Sequence, residues 1–115
     1  AVTWLAAQNS RELFISVITL GEISRGVAMK ARREPVIAAS ISDWLGKTRT
    51  DFADRILPVT EDISIEWGRL SAMRTRGDAD GLIAATAISR DLVVVTRNTA
   101  DFADTGVSLL NPWEI

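Results

Sequence analysis

Three carboxylates stand where this chain could do chemistry. Glu22 follows the β-rich run Leu13-Phe14-Ile15-Ser16-Val17-Ile18. Asp80 heads the apolar stretch Gly81-Leu82-Ile83-Ala84-Ala85-Thr86-Ala87, and Asp101 comes shortly after Leu92-Val93-Val94-Val95 and Thr96-Arg97-Asn98. The chain contains no histidine and no cysteine. Zinc bound by its usual ligands, Ser-His-Asp triads and thiol nucleophiles are therefore excluded. Catalysis would fall to carboxylates, working with a hard, oxygen-seeking cation such as Mg2+. Such a cation activates water and neutralises charge on a phosphate undergoing transfer.

Each residue also has a purely structural explanation. Thr19-Leu20-Gly21-Glu22 has the form of a capping box, with Glu22 as its return arm. Asp80, or Asp78, could cap a helix, and Asn98 with Asp101 has capping-box spacing. Arg25 and Arg97 suit solvated surface positions. The four tryptophans lie at helical core positions or beside Pro112, which makes packing their expected role rather than base stacking.

Hydrophobic periodicity supplies the elements that must position these acids. A helix end is expected over Ala1 to Gln8, then a buried strand over Leu13 to Ile18. A helix follows from Thr19, with Leu20, Ile23 and Val27 inward. Pro35 starts a helix to about Arg55, with Val36, Ile37, Ile41, Trp44, Leu45 and Phe52 on its apolar side. Ile56 to Val59 reads as a brief edge strand because of Pro58. Thr60 caps a helix to about Arg76 that has Glu61 and Asp62 in its first turn and buries Ile63, Trp67 and Leu70. Asp80 begins another helix, Leu92 to Thr96 is a strand, and Leu109-Leu110 is a last short one.

This alternation specifies a single α/β domain over 1–115, with a mainly parallel sheet flanked by helices in three layers. In such sheets ligands bind beyond the carboxyl ends of the strands. Glu22 and Asp101 each follow a strand and belong at that edge, and a short loop could bring Asp80 to the same rim. Three acids gathered there would repel one another unless a cation shared them.

Composition narrows the class further. With 115 residues and 47% hydrophobic content, the chain can build a substantial core. A net charge of −2 and a pI near 5.1 argue against a generally cationic nucleic-acid binder, but leave room for one local site. No apolar run is long enough for a membrane span, no signal peptide is visible, and the absence of cysteine fits a reducing cytoplasm, the expected location. A Walker-type phosphate loop is absent, which disfavours nucleotide hydrolysis.

At these same residues the chain resembles the PIN-domain ribonucleases, in particular the VapC and FitB branch of toxin–antitoxin toxins. The matching segments are Ile18-Thr19-Leu20-Gly21-Glu22-Ile23, Asp80 to Ala87, Val95-Thr96-Arg97-Asn98-Thr99-Ala100-Asp101-Phe102 and Leu110-Asn111-Pro112-Trp113. The resemblance implies a Mg2+- or Mn2+-dependent endoribonuclease of the bacterial cytoplasm, held in check by a cognate antitoxin and commonly homodimeric. It also implies that Glu22, Asp80 and Asp101 serve the metal and the catalysis. Asn98 is the alternative to Asp101, Thr96 supports the carboxylates, and Arg97 helps to hold RNA. Two departures go with it. Family members begin with a strand ending in an Asp-Thr-Asn-type segment, for which this sequence has no counterpart after Ala1. The passage Arg76-Gly77-Asp78-Ala79-Asp80 is also short. The chain is therefore expected to lack an N-terminal strand and to be inactive by itself. The alternative is a degenerate, non-catalytic PIN-like interaction module. A third reading is a phosphatase of another α/β family, with Asp80 as nucleophile.

Overall fold

A computed structural model describes residues 10–73 and 77–112. The helix expected over Ala1 to Gln8, the residues 74–76 and Trp113 lie outside these. The chain divides into two compact units, Phe14–Pro58 and a second made of Ala1–Leu13 with Val59–Ile115.

The unit Phe14–Pro58 contains strand β1 (Ile15–Ser16), helix α1 (Val17–Lys30), helix α2 (Pro35–Asp51) and strand β2 (Ile56–Leu57). The strands pair in parallel, Ile15 with Ile56 and Ser16 with Leu57. The strand is shorter than expected, and the helix starts earlier than a Thr19 cap would place it. Ser16 is the N-cap: its extended backbone carries Oγ to accept from the Ile18 N–H at 3.1 Å. Leu20, Ile23 and Val27 of α1 are half-buried, as their spacing predicts.

Helix α2 departs from expectation in its face. Ala38 is buried, and Ile41, Leu45, Thr48 and Phe52 continue the same stripe at three- and four-residue steps. Val36, Ile37 and Trp44 lie off it and are exposed, Trp44 by 54%. Trp44 is thus not a packing residue of this unit. The hydrophobic pattern does not mark this face because its centre is a small alanine, which permits close approach to α1 but carries little hydrophobic signal.

The second unit contains a 3-10 turn (Ser10–Glu12), helix α3 (Glu61–Met73), helix α4 (Asp78–Ser89), strand β3 (Val94–Val95), a second 3-10 turn (Thr99–Asp101) and strand β4 (Leu109–Leu110). β3 and β4 are parallel, Val94 opposite Leu109 and Val95 opposite Leu110. Ile63 and Leu70 of α3 are completely buried, and Trp67 packs against the same cluster. Facing them, α4 presents the small buried residues Gly81, Ala84, Ala85, Thr86 and Ala87. Full burial of an Ile or Leu side chain contributes roughly 1.5–3 kcal/mol. This contact fixes the helix whose first turn carries Asp80.

The expected strand from Leu92 shrinks to Val94–Val95 for a local reason. Helix α4 ends in a Schellman motif: the Leu92 N–H donates to Ala87 O at 2.8 Å and the Asp91 N–H to Ile88 O at 3.3 Å. Asp91 takes the left-handed conformation this requires, with φ of 54°. The Leu92 donor is consumed by the helix end, so the ladder begins with the Val94 N–H on Ser108 O.

Candidate functional site

Glu22 lies in the second turn of α1 and is exposed. Because Ser16 caps the helix, Thr19 and Glu22 are both inside it, and the reciprocal capping bonds are not formed. Its carboxylate therefore has no role at the helix start.

Asp80 is the third residue of α4 and half-buried. The N-cap is Gly77, with no side-chain cap hydrogen bond, so neither Asp78 nor Asp80 is the capping residue. Both sit in the first turn, where the helix dipole favours negative charge. Asp80 Oδ2 lies close to the helix start, 3.9 Å from where a β-carbon on Gly77 would stand.

The third acidic segment is built on the end of β3. The Thr96 N–H extends the ladder by donating to Leu110 O at 3.0 Å, while Thr96 Oγ1 accepts from the Asn98 N–H at 3.0 Å. Asn111 Nδ2 reaches Arg97 O at 3.5 Å. Asn98 N-caps the short 3-10 turn without a side-chain cap bond, and its carbonyl accepts from the Asp101 N–H at 3.1 Å. The Asn98–Asp101 pair is therefore not a closed capping box. Asp101 is exposed, and the adjacent Phe102 is buried and anchors the turn. Thr105 secures that anchor, with Oγ1 donating to Phe102 O at 2.7 Å and accepting from the Val107 N–H at 3.2 Å. Sequence reasoning missed Ser16, Phe102 and Thr105 as positioning residues. An ST-type turn signal around Thr105-Gly106 was the available clue.

Asp80 and Asp101 belong to the same compact unit, and Glu22 to the other. The donors are all oxygen, which matches the chemistry of a hard divalent cation. Among the described residues, however, no group of three or more acidic side chains is placed to hold a metal ion. The described residues match a cation in type without assembling a complete site. Among the described residues, no helix is long and apolar enough to cross a membrane.

An α/β protein with parallel strands and candidate acids after its strands and at a helix start defines a recognisable class. The sequence profile of the PIN domain matches residues 1–107, and the chain belongs to that family. It is similar to the VapC ribonuclease Y4jK of Sinorhizobium fredii (strain NBRC 101917 / NGR234), 34% identical over 119 residues, covering 98% of this chain and 84% of that protein. Toxin FitB of Neisseria gonorrhoeae (strain ATCC 700825 / FA 1090) is 33% identical over 119 residues, covering 97% of this chain and 84% of that protein. Among solved structures, FitAB bound to the IR36 DNA fragment superposes with a TM-score of 0.83 at 28% identity, covering 99% of this chain and 82% of that chain.

Proposed function

We propose that this protein is an endoribonuclease toxin of the VapC and FitB type, cleaving RNA phosphodiester bonds with Mg2+ or Mn2+ and neutralised by a cognate antitoxin in the bacterial cytoplasm. The observation that carries the reading is that Glu22, exposed in the second turn of α1, is not needed at the start of a helix that Ser16 caps. Asp80 stands in the first turn of α4, whose N-cap is Gly77. Similarity to a VapC ribonuclease and to Toxin FitB supports the same activity and the antitoxin partner. Association as a homodimer is part of this proposal.

Glu22, Asp80 and Asp101 are the carboxylates we assign to the cation, which when bound activates water and offsets charge on the phosphate. The chain's own contribution is position. Burial of α4 through its small residues sets Asp80, Ser16 sets the start of the helix bearing Glu22, and Phe102 with Thr96 sets the turn bearing Asp101. Arg97 offers a guanidinium on the same segment as Asp101 for the RNA backbone.

A second reading is a non-catalytic interaction module, favoured by the exposed Val36, Ile37 and Trp44 on α2. The deciding experiment incubates the full-length protein with a cellular RNA pool across Mg2+ and Mn2+ titrations and maps the ends. Metal-dependent cleavage at defined positions supports the ribonuclease; its absence at every metal concentration leaves the interaction module.

A further inference from the structure

Between Glu22 and Glu34 the chain carries Arg25, Lys30, Arg32 and Arg33 and no acid, in a protein whose net charge is −2. Lys30 is committed locally, with Nζ 2.7 Å from Glu34. The side chains of Arg25, Arg32 and Arg33 are exposed and form no ion pair or hydrogen bond among the described residues. Cations near a helix C-terminus are favoured by the dipole, which accounts in part for Arg32 and Arg33 just beyond α1. That effect fades within the last turn and does not reach Arg25 in the middle of the helix.

Arg25 lies three residues after Glu22, which places the two side chains as neighbours on one face of α1. Gly26, four residues after Glu22, is exposed and has open space where a β-carbon would stand. Packing does not ask for glycine there, although a glycine inside a helix costs about 1 kcal/mol relative to alanine. The surface next to Glu22 is therefore bare backbone flanked by a guanidinium. From Glu22 to Lys30 the helix rise covers about 12 Å, and Arg32 and Arg33 lie in the turn just beyond it, enough length to follow a few nucleotides of a strand.

We propose that Arg25, Arg32 and Arg33 form a track holding the phosphodiester backbone of single-stranded RNA, running from Glu22 along α1 to the turn that follows it. This rests on the reading of the chain as a ribonuclease. Guanidinium groups grip phosphate oxygens in a bidentate fashion, and three such contacts on an otherwise acidic protein supply local affinity without making the whole surface sticky. The contacts are to phosphates and so contribute binding in any sequence context.

The test uses the full-length protein with fluorescein-labelled, single-stranded, mixed-sequence RNA in EDTA, with affinity measured across a salt titration. Each phosphate contact on a single strand contributes about 0.7 to the slope of log affinity against log salt, so R25Q/R32Q/R33Q reduces the slope by about 2 and R25Q alone by about 0.7. In cleavage assays the triple variant raises KM and leaves kcat at saturating RNA unchanged. Arg69→Gln removes a cation already paired with Glu66 and serves as the charge control, with an unaltered slope. A native protein that cleaves RNA while both track variants keep the native slope and KM overturns the track alone. Loss of binding to an acidic protein partner with the RNA slope unchanged also overturns it, assigning the cations to a protein surface. A native protein that neither binds nor cleaves RNA overturns the track and the ribonuclease together.

Discussion

Arg90, which closes helix α4, places Nη1 2.8 Å from Asp62 Oδ2 in the first turn of α3 and Nη2 2.9 Å from Thr60 Oγ1. The pair fastens the far end of the helix that carries Asp80 near its start. Hydrogen bonds from Arg90 and then Thr60 lower the Asp62 pKa from 3.8 to about 2. A carboxyl depressed on folding contributes stability above its unfolded value, and that contribution is lost as pH falls through the folded value. Between pH 3.8 and about 2 the native protein should therefore lose melting temperature more steeply than Asp62→Asn. The pair is exposed, so the difference is small. Parallel melting curves for the two proteins across that interval would remove the Arg90–Asp62 link from the account.

Asp91 offers a gain in stability. Its left-handed backbone, φ 54°, suits glycine better than an L side chain, and its charge sits at the unfavourable end of the α4 dipole. Asp91→Gly should raise stability by up to about 1 kcal/mol, read as a higher urea midpoint with an unchanged slope. A lower midpoint would mean that the aspartate makes a contribution that the Schellman geometry does not account for.

Helix α1 separates structural from chemical roles in one pair of variants. Ser16→Ala removes the cap and should cost about 1 kcal/mol. Glu22→Gln should leave the melting temperature where it is and sharply reduce RNA cleavage, because the residue caps nothing and is assigned to the cation. Native cleavage by Glu22→Gln would take this residue out of the site.

The core of the second unit can be probed at Leu70, which is completely buried against α4. Leu70→Ala should cost about 2–5 kcal/mol in chemical denaturation. A loss below 1 kcal/mol would show that α4 is held by something other than this contact.

Much of this arrangement is legible in the sequence, and the exceptions have physical causes. Ile63, Trp67 and Leu70 repeat at helical spacing and do turn inward, and the alternation of helices and strands does yield parallel pairs. Ser16 and Thr19 are both good capping residues, and the choice between them is made by pairing with Ile56 and Leu57, far along the chain. The start of β3 depends on Leu92 giving its N–H to Ala87, a bond set by the backbone at Asp91 rather than by any hydrophobic pattern. The buried face of α2 centres on Ala38, whose small side chain is outweighed in the sequence by the exposed Val36, Ile37 and Trp44. For the site, the acids were identifiable by type and by the strands they follow. Which residue is the N-cap of each helix is set by backbone geometry at Ser16 and Gly77.

The most direct measurement of the central claim is the rate at which full-length Asp80→Asn cleaves RNA in saturating Mg2+. The substitution keeps the size of the side chain and its hydrogen-bonding capacity at the start of α4, so the protein should fold with native stability. Losing a carboxylate assigned to the cation should lower the rate about a thousandfold, some 4 kcal/mol of transition-state stabilisation. A folded Asp80→Asn protein that cleaves at the native rate would contradict the account and return Asp80 to a role in the helix start alone.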